Sequence, residues 1–146
     1  MQDNGDWRAA TLRAMREAMG MGMGICADVL AGRTGRDVTR FDVDDWESGL
    51  AEAPPDALAA MGDEWGVFVG QVGATLTAAG ELLQRGNQRA PRVRLTYYRT
   101  RDEWLADGGD GAQDHTEQNA VNAAAAVSLT AMGWAVSWEY PRARRP

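Results

Sequence analysis

Residues 39–49, TRFDVDDWESG, decide the fold of the first half of the chain. Thr39 has a side-chain oxygen that can accept from a backbone amide one turn on, which makes it the N-cap of a helix. Gly49 ends that helix, because glycine adopts the left-handed conformation of a helix terminus without steric cost. Between them Phe41, Val43 and Trp46 are candidate inward groups. Asp42, Asp44 and Asp45 load the outward side with carboxylates.

Upstream, DWRAATLRAMREAM places Trp7, Leu12, Met15 and Met19 at helical spacing, with Asn4 or Asp6 available to cap the first turn. After GMGMG, the stretch ICADVLAG offers Ile25, Val29 and Leu30 for a short second helix stopped by Gly32, and GRTGRD follows as a polar loop. Downstream, AEAPPDALAAM restarts the chain. From Ala57 to about Gln84 the residues Leu58, Met61, Trp65, Val69, Val72, Leu76, Ala79 and Leu83 recur every three or four positions, which predicts a helix on the order of 40 Å long. Gly62, Gly66, Gly70 and Gly73 form one stripe along it. Each costs roughly 1 kcal/mol relative to alanine, which a close helix neighbour, from the same subunit or a second one, would offset.

Past RGNQRAP the pattern alternates. In RVRLTYYR, Val93, Leu95 and Tyr97 share one face and Arg92, Arg94, Thr96 and Tyr98 the other, as in a half-buried strand. TRDEWLAD is a short helical segment anchored by Trp104 and Leu105, and GGDGAQD is a loop. Residues 115–132 make an alanine-rich helix ended by Gly133. WAVSWEY alternates again, with Trp134, Val136, Trp138 and Tyr140 on one side. The expected organisation is a helical head at 1–56, a connecting helix at 57–86, a strand–helix–strand unit at 87–140 and a basic tail at 141–146. The fold class is mainly α (α+β).

Composition narrows the chemistry. Apolar residues make up 45% of the 146 and charged residues 25%, the balance of a soluble globular protein. No window of about 18 residues is apolar and free of charge, and MQDNGDWRAA lacks the order of a signal peptide, so a cytoplasmic protein with no membrane partner is expected. One cysteine, Cys26, and one histidine, His115, supply neither a disulfide nor a zinc ligand set, so no metal or cofactor is expected. Cys26 reads as a small core group and His115 as a surface residue with no partner singled out by spacing. GGDGAQD lacks the ligand spacing of an EF-hand. No enzyme reading emerges. Residues 1–84 carry six arginines against 14 acids, whereas residues 85–146 carry nine arginines against seven acids.

The order LRAMREAMGM, CADVLAG, then a helix closing in WESG resembles the helix-turn-helix of lambda-repressor-like (XRE-type) regulators. PRVRLTYYRTRDEWLAD, the alanine-rich helix and GWAVSW resemble the C-terminal dimerisation domain of small phage and prophage regulators that include anti-CRISPR-associated autorepressors. The resemblance runs from about Leu12 to Trp138. It implies a homodimer presenting two heads to a palindromic double-stranded DNA operator, with base-facing or phosphate-facing positions at Arg33, Arg36, Thr39, Arg40, Phe41 and Asp44. The dimer interface it implies involves Leu95, Tyr97, Trp104, Val121, Ala124, Ala125, Trp134 and Trp138. The chain departs from the pattern in the longer turn, RTGRD, and in having Phe41 and Asp44 where arginine or glutamine is expected.

Two further readings stand beside it. An acidic head can instead engage a basic protein partner or mimic DNA. In the second half, Arg92, Arg94, Tyr98 and Arg99 interleave cations with an aromatic, as single-stranded nucleic-acid sites do, or else form the solvated face of a strand.

Overall fold

The computed structural model describes residues 6–86 and 91–142, so Asn4, most of the RGNQRAP linker and the end of the basic tail lie outside the described residues. Among the described residues the chain is mainly helical, 67% helix in six helices, with one small two-stranded parallel sheet. It divides into two compact units, residues 1–67 and 68–146. The division falls inside the long helix α4 (Pro55–Gly86), which therefore contributes to both.

The first unit contains α1 (Asp6–Ala18), α2 (Met23–Thr34), α3 (Arg40–Ser48) and the first turns of α4. Leu12, Cys26, Leu30, Val43 and Met61 are fully buried in it, and each such aliphatic side chain contributes about 2 kcal/mol. Ala57 and Ala60 join Met61 in that core. By length and composition alone α4 could cross a membrane, but its first two turns are committed to this packing.

Two expectations about the head are corrected. The second helix does not stop at Gly32. It continues to Thr34 and ends at Gly35, whose φ of 71° and N–H···O bond to Ala31 (2.9 Å) supply the left-handed cap. Phe41 does not point inward: it is 65% exposed, because Val43, Trp46 and Glu47 share the buried face and Phe41 lies two residues, about 200°, away from Val43. Thr39 and Gly49 bound α3 as expected, Gly49 with φ 79°.

The second unit contains the rest of α4, β1 (Arg92–Thr96), α5 (Arg101–Ala106), α6 (His115–Ala131) and β2 (Ala135–Glu139). β1 and β2 are parallel, with Arg92 opposite Ala135 and Leu95 opposite Trp138. Parallel neighbours need a crossover, and α6 provides it. Val121, Ala125 and Leu129, four residues apart, bury one stripe of α6 in the same core as Leu95. Asp114 and Glu117 close a capping box at its start.

β1 stops at Thr96, and the alternation expected to continue through Tyr98 stops with it. Asn119 on α6 accepts from the Tyr98 amide (2.9 Å) and donates to the Tyr98 carbonyl (2.8 Å), while Asn122 donates to the Thr96 carbonyl (2.8 Å). So held, Tyr98 turns its ring inward. It is 7% exposed, meets Trp104 edge-on at 5.2 Å and donates its hydroxyl to Asp107 at 2.6 Å.

The glycine stripe of α4 meets no close neighbour among the described residues. A Cβ added at Gly62, Gly66, Gly70 or Gly73 would meet nothing within 4 Å.

Candidate nucleic-acid interface

The position of α3 follows from one buried ion pair. Arg16 on α1 donates from Nε and Nη2 to the two carboxylate oxygens of Glu47, at 2.6 and 2.9 Å, and from Nη1 to the Met21 carbonyl at 2.9 Å. The two side chains are only 11% and 4% exposed. Hydrogen bonding to Glu47 raises the Arg16 pKa above its ordinary value, against the opposing effect of burial. A fork-to-fork contact of this kind fixes orientation as well as distance. With Trp46 buried beside it, α3 is held by one face, and Arg40, Phe41, Asp44 and Ser48 project from the other.

The carboxylates on α3 are not equivalent. Asp42 accepts from the Thr39 amide at 2.8 Å while Thr39 accepts from the Asp42 amide at 3.3 Å, a capping box that occupies one of the three acids. Asp44 is exposed and Asp45 half-buried.

The cations differ too. Arg33 bonds Glu64, and Arg36 bonds Asp56 at 2.6 Å, so the two turn arginines are already neutralised by α4. The Arg36 hydrogen bond holds the Asp56 carboxyl below its usual range. Among the described residues Arg40 has no carboxylate partner. Its guanidinium lies 4.9 Å from the Phe41 ring centre. The head thus brings Thr39, Arg40, Phe41 and Asp44 together at the start of one exposed helix ridge, with Arg33 and Arg36 beside it but paired.

In the second unit the proposed patch comes apart. Arg92 is exposed, Arg94 lies 3.5 Å from Glu139, and Arg99 donates to Glu103 at 2.8 Å while its guanidinium covers the Tyr140 ring at 4.2 Å. Tyr98, the aromatic required for base stacking, is buried. The single-stranded nucleic-acid reading therefore loses its stacking platform.

Of the residues assigned to a dimer interface, Tyr97 and Trp138 are 47% and 44% exposed, and Trp104, Ala124 and Trp134 are half-buried. Leu95, Val121 and Ala125 are corrected to core residues, since the alternation of β1 turns Leu95, and the period of α6 turns Val121 and Ala125, into the core of their own chain. His115 does have a partner: its Nδ1 lies 2.6 Å from the adjacent Asp114 carboxylate, which also caps α6.

Arg16, Asn119 and Asn122 were not apparent as organising residues from the sequence. Their partners lie 31, 21 and 26 residues away, and no local period connects them. The two capping boxes, Thr39 with Asp42 and Asp114 with Glu117, do carry a sequence signal in their three-residue spacing. Among the described residues no group of three His, Cys, Asp or Glu side chains is arranged to hold a metal ion. The sequence matches no protein-family model and no curated protein.

Proposed function

We propose that the protein is a cytoplasmic, dimeric, sequence-specific DNA-binding regulator, a repressor of phage or prophage type, whose α3 enters the major groove. The observation that supports it is the Arg16–Glu47 clamp, which leaves the ridge of Arg40, Phe41, Asp44 and Ser48 outward on a rigid head. On that ridge Arg40 suits a guanine edge or a phosphate, Phe41 a thymine methyl and Asp44 the exocyclic amine of cytosine. Most of the affinity for DNA comes from neutralising phosphates, so the unpaired Arg40 carries more of it than Arg33 or Arg36.

The test is titration against DNA from upstream of the protein's own gene at several salt concentrations. Affinity falls with salt, Arg40→Ala weakens binding about tenfold and lowers the salt slope by about one, and Arg36→Ala has the smaller effect. Binding that is absent, or indifferent to salt, refutes the reading.

A second reading is favoured by the pairing of Arg33 with Glu64 and of Arg36 with Asp56, which leaves Asp44 and Asp45 little local compensation. In it, the acidic ridge binds a basic protein. Asp44→Arg with Asp45→Arg then abolishes co-purification of that partner, and a double variant that retains every partner excludes it.

A further inference from the structure

The two edges of the β1–β2 sheet differ. Along a parallel strand, residues alternate between bonding the neighbour and pointing their amide and carbonyl away. The Ala135 amide donates to the Pro91 carbonyl (3.0 Å) and the Glu139 carbonyl accepts from Tyr97 (2.8 Å), so Ala135, Ser137 and Glu139 face β1. Val136 and Trp138 face outward, and among the described residues no hydrogen bond reaches their backbone groups. On the β1 side, by contrast, the outward Thr96 carbonyl and both backbone groups of Tyr98 are held by Asn122 and Asn119.

Side chains reinforce the difference. Arg92 and Arg94 place charge on β1, whereas Ala135, Val136, Ser137 and Trp138 of β2 carry none. Beside β2 lies an apolar groove of about 650 Å³ between the strand and α6, lined by Ala123, Val127, Ala131, Val136 and Trp138 among others. Val127 is 72% exposed at its rim. An edge whose only charge, Glu139, is paired with Arg94, lying beside an uncovered apolar groove, is a template for another strand.

We propose that the occupant is a second copy of the same strand, β2 pairing antiparallel with β2 of the partner about a twofold axis at Ser137. This rests on the dimeric part of the function proposed above and says where the dimer forms. The register follows from parity. Outward-facing residues must pair with outward-facing residues, and pairing Val136 with the partner's Trp138 is the register that overlaps all five residues of the strand. It makes four hydrogen bonds, two for each Val136–Trp138 pair, and stacks a β-branched residue against an aromatic on the groove side. Charge agrees: each Glu139 lies opposite the partner's Ala135 rather than its own copy, so no like charges meet. The product is a four-stranded sheet whose two α6 grooves close over the Val136–Trp138 pairs.

Cysteine cross-linking reads this register directly. Ser137 would face its own copy in a non-hydrogen-bonded pair, with Cα atoms about 4.5 Å apart, within disulfide reach. The natural Cys26 is fully buried, with its thiol pKa pushed up to about 12 by burial, and does not compete. Under mild oxidation S137C gives a covalent dimer at least ten times faster than A135C, whose copies stand four residues out of register. Val136→Pro, which removes an outward amide and spares the hydrogen bonds between β2 and β1, converts the protein to monomer in light scattering while circular dichroism is retained. A wild-type dimer in which S137C cross-links no faster than A135C overturns the β2 seam but leaves the dimer standing. A wild-type monomer at micromolar concentration overturns both.

Discussion

Removing the Glu47 carboxylate tests how the head is held together. In Glu47→Ala the Arg16 guanidinium keeps its bond to the Met21 carbonyl but loses both bonds to Glu47, in a site where the arginine side chain is 11% exposed. Breaking one side of a buried ion pair costs roughly 3–5 kcal/mol. Glu17, 3.9 Å from Arg16 and more than half exposed, takes up part of the orphaned charge. A loss of about 2–4 kcal/mol is therefore expected once that compensation is allowed for. For a unit of this size that is a fall of on the order of 15 °C in Tm. Urea unfolding followed by circular dichroism measures it, with the transition of the second unit as an internal reference. The paired change Arg16→Met with Glu47→Leu recovers most of the loss, since neither charge is then buried alone. A single variant within about 0.5 kcal/mol of wild type, the range of ordinary surface changes, would refute the clamp, and so would a double variant no more stable than the single.

Two further outcomes follow from the same structure. Asp56 and Glu103 titrate below their ordinary carboxyl values, held there first by side-chain hydrogen bonds from Arg36 and Arg99. Because their folded pKa values are depressed, the stability they contribute is present above the ordinary carboxylate range and disappears as pH falls through the folded values. Carboxyl NMR titration checks this, and Arg36→Gln raises the Asp56 value alone, toward the usual range. Gly109→Ala destabilises the second unit by about 1–3 kcal/mol, because its Cβ would strike the Trp104 ring and lie 2.6 Å from the Trp104 carbonyl oxygen. Gly111→Ala, with only the Leu105 side chain at 4.0 Å, is the neutral control in thermal unfolding.

Local signals carried most of the fold. Thr39 and Gly49 bracket α3 because capping is decided within one turn, and the 3.6-residue recurrence from Leu58 to Leu83 predicts α4 because burial stripes repeat along a helix. Elsewhere, groups distant in the chain decide the local structure. Tyr98 left the alternation of β1 because Asn119, 21 residues later, holds its backbone. Arg33, at the end of α2, and Arg36, just past it, lie in a stretch rich enough in cations to suggest a phosphate rim. Their pairing with Glu64 and Asp56 depends on how α4 returns to the head, which no periodicity in the turn encodes. Phe41 was ambiguous in sequence, apolar yet out of phase with Val43 and Trp46, and its exposure shows that phase outranked hydrophobicity.

Under the proposed β2 seam, Asn119 and Asn122 would also limit how far assembly goes. Their amides occupy the Thr96 carbonyl and both backbone groups of Tyr98, so a newcomer at that end of β1 would have to displace three hydrogen bonds and approach two arginines. A ribbon that can be extended from one margin alone is finished after a single addition. If β2 pairs as proposed, two side-chain amides on the opposite margin would let the molecule carry an adhesive strand without the runaway stacking that leads to fibrils.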